Sequence, residues 1–108
     1  MVDSGVPVAI STDFNPGSSP TISLPFIQNL ACMNMGMTME EVLCATTINA
    51  AHAINRGDVV GTLEQGKQAD LLMLDVLNYK QLQYFYGMNH TDTVIKAGQV
   101  VVKGGNLL

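Results

Sequence analysis

The sequence contains no tryptophan, only three phenylalanines and three tyrosines, and just 13% charged residues. Hydrophobic residues make up 47%, a balance that belongs to a chain burying a core and excludes a disordered one. Cations are scarcest. Arg56, Lys67, Lys80, Lys96 and Lys103 are scattered along 108 residues, and the formal charge is −4. With no basic stripe to neutralise phosphates, nucleic acid is excluded as a partner. Cysteine is almost missing as well. Cys32 and Cys44 could in principle pair, but there is no C-x-x-C and no Cys/His zinc spacing. Two buried free thiols are expected, as in a reducing cytoplasmic compartment. No apolar run reaches the roughly 18 residues a membrane span needs. The opening MVDSGVPVAI has an acid where a signal peptide wants positive charge.

What is present divides into three parts. Residues 6–12, VPVAIST, are continuously apolar rather than alternating, which predicts a strand covered on both faces, with Pro7 at its start. The run stops at Asp13, and Asn15-Pro16-Gly17-Ser18 then has the spacing of a type II turn. From Ile22 to Met35 the period becomes helical. Ile22, Phe26, Ile27, Leu30, Ala31 and Met33 fall mostly on one side, and Gly36 is the expected stop. Thr38 and Glu41 make a capping box that opens a second helix, and TTINAAHAI continues as a third, ending near Asn55-Arg56-Gly57. Met33, Met35, Met37 and Met39 suit core or interface packing.

After Gly57 the pattern turns to strands. Gly61 and Gly66 mark turns ahead of a dense apolar strand, Asp70 to Leu74. Residues 77–86, LNYKQLQYFY, are ambiguous and compatible with a helical turn. Thr91 to Lys96 and Gln99 to Lys103 read as a hairpin closed by Ala97-Gly98, although Ala is disfavoured at the positive φ such a loop requires. No internal repeat or low-complexity linker separates the halves.

These pieces resemble a known family. TDFNPGSSP after a buried strand is similar to the imidazolonepropionases, members of the metal-dependent amidohydrolase superfamily. INAAHAINR, GTLEQGKQADLLMLD and VIKAGQVV look like that superfamily's shared C-terminal passage, and YKQLQYFYGMNHTDTVIKAGQVV resembles the imidazolonepropionase ending. The resemblance implies an α/β fold: the C-terminal part of a TIM-type (β/α)8 barrel plus part of a small β-sandwich. Residues 1–57 would be the last barrel strand and its helices, and 58–108 the β-sandwich part. Catalytic groups of such barrels stand at the C-terminal ends of strands, where the resemblance places Asp13.

The implied reaction is hydrolysis of the cyclic amide of 4-imidazolone-5-propanoate to N-formimidoyl-L-glutamate, in histidine degradation. By the same resemblance Asp13 would be both catalytic and a ligand to one divalent metal ion, zinc or iron. Asn15, Gly17 and Ser18 would bind the substrate. Read as residues alone, Asp13, Asn15 and Gly17 are turn formers, His52 is a structural histidine in an Ala-rich helix, and His90 is a loop residue. Asp70 and Asp75 bracket a strand with no chemical partner in view.

The sequence also departs from the family. It lacks the His-x-His pair of the first barrel strand, the later metal histidine, and the substrate-binding arginine, tyrosine and histidine. A lone carboxylate is a weak metal site, since three or four ligands are usual. The expectation is therefore a C-terminal fragment that is marginally stable, aggregation-prone and inactive alone, from a family whose full-length members are homodimers. Two alternatives stay open. One is a fragment of another amidohydrolase, such as a cyclic deaminase; the other is a truncated, non-catalytic isoform acting as an interaction module.

Overall fold

A computed structural model describes residues 5–15, 17–19, 23–81 and 89–108. Among these residues, three helices, α1 (Leu24–Asn34), α2 (Met39–Thr46) and α3 (Ile48–Ala53), precede four strands, β1 (Leu71–Leu74), β2 (Thr91–Lys96), β3 (Gln99–Lys103) and β4 (Asn106–Leu107). The strands form one antiparallel sheet in the order β1-β2-β3-β4.

The helix boundaries follow from capping chemistry. Ser23 caps α1 by accepting the Phe26 amide, with Pro25 in the first turn. Gly36, at φ +71, ends α1 as the expected C-terminal glycine. The capping box of α2 is reciprocal: the Thr38 amide donates to Glu41 Oε1 at 2.9 Å, and the Glu41 amide donates to Thr38 Oγ1 at 3.1 Å. At the end of α3, Asn55 takes φ +62. Its amide donates to the His52 carbonyl at 3.0 Å and the Arg56 amide to the Ala51 carbonyl at 2.7 Å, the pair of bonds that defines a Schellman stop.

The core is small. Ala31, Met39, Val42, Ala45 and Ala51 are buried, together with polar Gln28 and Asn29. The inward face of α1 is thus only partly the apolar stripe the sequence suggests: Ala31 is buried and Ile27 and Leu30 are half-buried, but Gln28 and Asn29 share that side. Gln28 Nε2 donates to Thr46 Oγ1 at 2.9 Å, which turns α1's polar side towards α2, while Phe26 and Met33 face out. Ile22 lies outside the described residues. Of the methionines, Met39 is buried, but Met33 and Met35 are more than 70% exposed. Both cysteines are free, and Cys44 is exposed rather than buried.

Residues 6–12 do not form the expected strand. A strand exists through its ladder, and no neighbouring strand pairs with this segment among the described residues. It is instead moored to the helices by two bonds. The Ile10 amide donates to the Ala45 carbonyl at 3.0 Å, and Asn49 Nδ2 donates to the Val8 carbonyl at 2.9 Å.

The loop between α3 and β1 folds back on the helices. Gly61 stands at φ +106, and a Cβ there would sit 3.0 Å from both Ile48 Cα and Ala51 Cβ, so only glycine fits. Lys67 Nζ fastens the same loop by donating to the Gly57 carbonyl at 2.7 Å and to Thr62 Oγ1 at 2.8 Å. In the sheet, the hairpin loop falls at Ala97 and Gly98, both at positive φ; the added strand β4 extends the edge beyond it. Residues 77–81 form a turn in which the Gln81 amide donates to the Asn78 carbonyl. The rest of the ambiguous stretch, from residue 82, lies outside the described residues.

Candidate functional site

The segment that leaves the helices at Ile10 ends in a tight loop, 13–19, built around one side chain. Asn15 Oδ1 accepts the amides of Gly17 at 2.9 Å and Ser18 at 2.8 Å. Two amide donors fix which end of the carboxamide is oxygen. The nitrogen, Nδ2, then donates to the Asp13 carbonyl at 2.7 Å and to Ser18 Oγ at 3.3 Å. Asn15's side chain has two donors and two acceptor positions, and the loop uses them all.

This is an Asx turn, not the expected type II turn. Gly17 does not take the positive φ that type II demands of it, because the Ser18 amide is received by the Asn15 side chain. Glycine has another use here, since a Cβ at residue 17 would press on Asn15 Oδ1 at 3.2 Å. The main chain closes the loop as the Asn15 amide donates to the Ser19 carbonyl at 2.9 Å.

Asp13 is at φ +47, a left-handed conformation that costs an L-residue other than glycine roughly 1–2 kcal/mol. Its side chain is exposed, and among the described residues no hydrogen bond or ion pair is made to its carboxylate. An uncommitted carboxylate fits one position in the coordination sphere of a zinc or iron ion. The remaining positions are not filled here, because no three His, Cys, Asp or Glu side chains gather to hold a metal among the described residues. His52 is exposed on α3 and His90 precedes β2. Asp13, Asn15, Gly17 and Ser18 are thus brought together, with no histidine beside them.

The loop residue that sequence reasoning misses is Ser19, whose Oγ donates to the Thr12 carbonyl at 2.6 Å. A second serine next to Ser18 is a faint signal, since its partner lies seven positions back.

A cavity of about 450 Å³ lies elsewhere, between α2, α3 and β1, lined by Thr47, Ile54, Leu63 and Leu72 among others. Its apolar walls offer no titratable pair, and Asp13, Asn15, Gly17 and Ser18 do not line it. Asp70, at its edge, is bound to Lys96, Ala97 and Gln68, so the expectation that it has no chemical partner is corrected.

Comparison with known proteins adds to this geometry. The profile of the amidohydrolase family matches residues 1–101. The chain is 65% identical over 107 residues to the imidazolonepropionase of Geobacillus sp. (strain WCH70), covering 99% of this chain and 25% of that protein. It is 64% identical over 108 residues to the imidazolonepropionase of Shouchella clausii (strain KSM-K16), covering 100% of this chain and 24% of the relative. It therefore spans about a quarter of the length of the curated relatives it matches. Among solved structures, an adenosine deaminase from Xanthomonas campestris with bound zinc aligns with a TM-score of 0.82 at 25% identity, over 99% of this chain and 28% of that one. The atrazine chlorohydrolase of Arthrobacter aurescens, complexed with zinc and atraton, gives 0.82 at 23% identity, over 99% and 27%. That second likeness is one of fold alone.

Proposed function

The chain belongs to the amidohydrolase family, and from that premise we propose that it supplies the Asp13 loop to the active site of an imidazolonepropionase. In this reading residues 1–57 are the last strand and helices of a (β/α)8 barrel, and 58–108 belong to its β-sandwich. The unpaired segment 6–12 becomes a barrel strand once neighbours flank it, because its apolar side chains suit a strand covered on both faces.

The substrate is 4-imidazolone-5-propanoate, and water opens its ring amide to give N-formimidoyl-L-glutamate. A divalent ion, zinc or iron, supplies water acidified from a pKa of 15.7 towards about 7 when bound. Asp13 is the residue of this chain that would hold it, and its carboxylate also takes the proton of the attacking water and passes it to the leaving ring nitrogen. Gly17 and Ser18 line the substrate pocket, whereas the substrate contact expected of Asn15 gives way to a shaping role, because its side chain is already hydrogen-bonded within the loop. The other ligands lie outside the described residues. The reading carries with it a cytoplasmic enzyme with free thiols that pairs as a homodimer.

The observation that carries this is the 65% identity over 107 residues, TDFNPGSSP included in the matched span, to an imidazolonepropionase. The adenosine deaminase likeness, at 25% identity, favours the cyclic-deaminase alternative far less. The test is a complete enzyme in which these 108 residues replace the matched segment of the Geobacillus sp. relative. Imidazolonepropionate hydrolysis is expected from this chimaera and none from the chain alone. A well-folded chimaera that hydrolyses no imidazolonepropionate, or activity from the chain alone, overturns the reading.

A further inference from the structure

We propose that Ser19, acting with Asn15, is a positioning residue that fixes the backbone of Asp13 and so aims its carboxylate. The inference rests on the reading of Asp13 as a metal ligand.

The two dihedral angles of Asp13 describe how the peptide planes before and after its Cα are turned. The carbonyl of Thr12 belongs to the plane before, and the carbonyl of Asp13 to the plane after. Each is held by a side chain. Ser19 Oγ donates to the Thr12 oxygen at 2.6 Å, and Asn15 Nδ2 donates to the Asp13 oxygen at 2.7 Å. The two holders are joined in turn, because the Asn15 amide donates to the Ser19 carbonyl at 2.9 Å. Asn15 cannot swivel, since the Gly17 and Ser18 amides occupy its oxygen. Both planes are thus held around a residue at φ +47, a conformation that side chains bearing a Cβ rarely adopt.

A left-handed backbone points Cβ away from the direction an extended residue would give it. Without the clamp, Asp13 relaxes to the extended region and its carboxylate leaves the place set for it. Ser19 therefore acts through Asp13 and touches no substrate. Asn15 does the same work, because every hydrogen-bonding position of its side chain is already spent within the loop.

The chimaera provides the test, with S19A, S19T, N15D and D13A compared for zinc affinity against a chromophoric chelator, kcat, KM and Tm. Groups that orient a ligand typically cost 10- to 100-fold in metal affinity or activity when removed. S19A is expected to lower zinc affinity and kcat by about that factor with KM held within about twofold, while S19T, which keeps the hydroxyl, restores both. N15D keeps an oxygen for the Gly17 and Ser18 amides but loses the Nδ2 donor to the Asp13 carbonyl, and with it the longer 3.3 Å bond to Ser18 Oγ, so it is expected to follow S19A. It decides the matter if S19A lowers Tm below the assay temperature. Unchanged zinc affinity and kcat in S19A or N15D, or an effect confined to KM, overturns the clamp. D13A separates the two claims. If D13A alone loses zinc, the clamp falls and the ligand reading stands; if D13A keeps zinc, the ligand reading falls and the clamp with it.

Discussion

Asp70 and Lys96, 26 positions apart, meet with Oδ2 and Nζ 2.6 Å from each other. The second carboxylate oxygen accepts the Ala97 amide at 2.8 Å, and the Gly98 amide donates to the Ala69 carbonyl at 2.9 Å. The residue just before β1 therefore clasps the turn of the β2–β3 hairpin. This accounts for alanine at φ +50, where asparagine or glycine is the usual choice. The clasp holds from outside a turn that alanine alone would not favour.

The clasp is pH-dependent. The Lys96 ammonium first, then the Ala97 amide and the Gln68 side chain, hold the Asp70 carboxyl down to about 2, from an ordinary value of 3.8. A folded value below the unfolded one means that the clasp stabilises the fold fully above the ordinary value. That contribution is withdrawn as pH falls through about 2. A side-chain titration of Asp70 by NMR, with Ala97 amide exchange followed alongside, is expected to move only at the acid end. D70N should speed Ala97 exchange at neutral pH. An Asp70 midpoint at an ordinary carboxylate value would remove the basis for the clasp.

The contrast between the ends of the chain shows what is legible in a sequence. The Thr38–Glu41 box, the Gly36 and Asn55 stops, and the Ala97-Gly98 hairpin all rest on partners a few residues apart, and all are found where expected. Residues 6–12 have strand composition, but a ladder depends on partners distant in sequence, and none is present among the described residues. Two of Asp70's partners, Lys96 and Ala97, lie 26 and 27 residues away, beyond any local pattern. The helical period of α1 is real and buries Ala31, yet Gln28 and Asn29 are buried with it, Gln28 because Thr46 offers it a hydrogen bond. At the site, the turn chemistry of Asn15 is readable from its type and neighbours. The left-handed turn of Asp13 and the reach of Ser19 to Thr12 are not, since both depend on how the loop closes.

Gly61 joins the helical and sheet parts, and its substitution should show it. In G61A the new methyl meets the Ile48 backbone and Ala51 Cβ at 3.0 Å, at a φ of +106. Neither neighbour is a flexible side-chain tip. Overpacking and backbone strain together predict a loss of roughly 1–3 kcal/mol, read as a lowered urea midpoint with an unchanged slope. G66A is the control, because its φ of +93 carries a backbone penalty without a neighbour to strike. Equal losses in the two variants would remove the packing part of the claim.

Asn29 makes the opposite prediction. It is 8% exposed, and its Nδ2 has no hydrogen-bond partner among the described residues. A buried unsatisfied donor carries an uncompensated desolvation cost, so N29L is expected to stabilise the chain by about 1 kcal/mol. Thermal unfolding of the two proteins checks it. A lower Tm in N29L would show that the carboxamide has a partner in solution.

The last prediction concerns apolar surface. Met33 at 72%, Met35 at 73%, Ile54 at 72% and Leu63 at 77% exposed are large side chains left in water, and Ile54 and Leu63 also line the 450 Å³ cavity. Burying one such side chain is worth roughly 1.5–3 kcal/mol, and the buried apolar side chains among the described residues, three of them alanine, offer little to set against a face this uncovered. The chain alone is therefore expected to bind the dye ANS and to self-associate with rising concentration. The chimaera, in which three quarters more of the relative's polypeptide is available to cover these faces, should do neither. The decisive comparison is a double replacement, I54S with L63S. It should lower dye binding and self-association in the chain alone, because it removes greasy surface. In the chimaera it should lower Tm, because there the same residues are packed. A Tm unchanged by the replacement would show that these faces stay open in the complete enzyme and are not covered by the rest of its polypeptide.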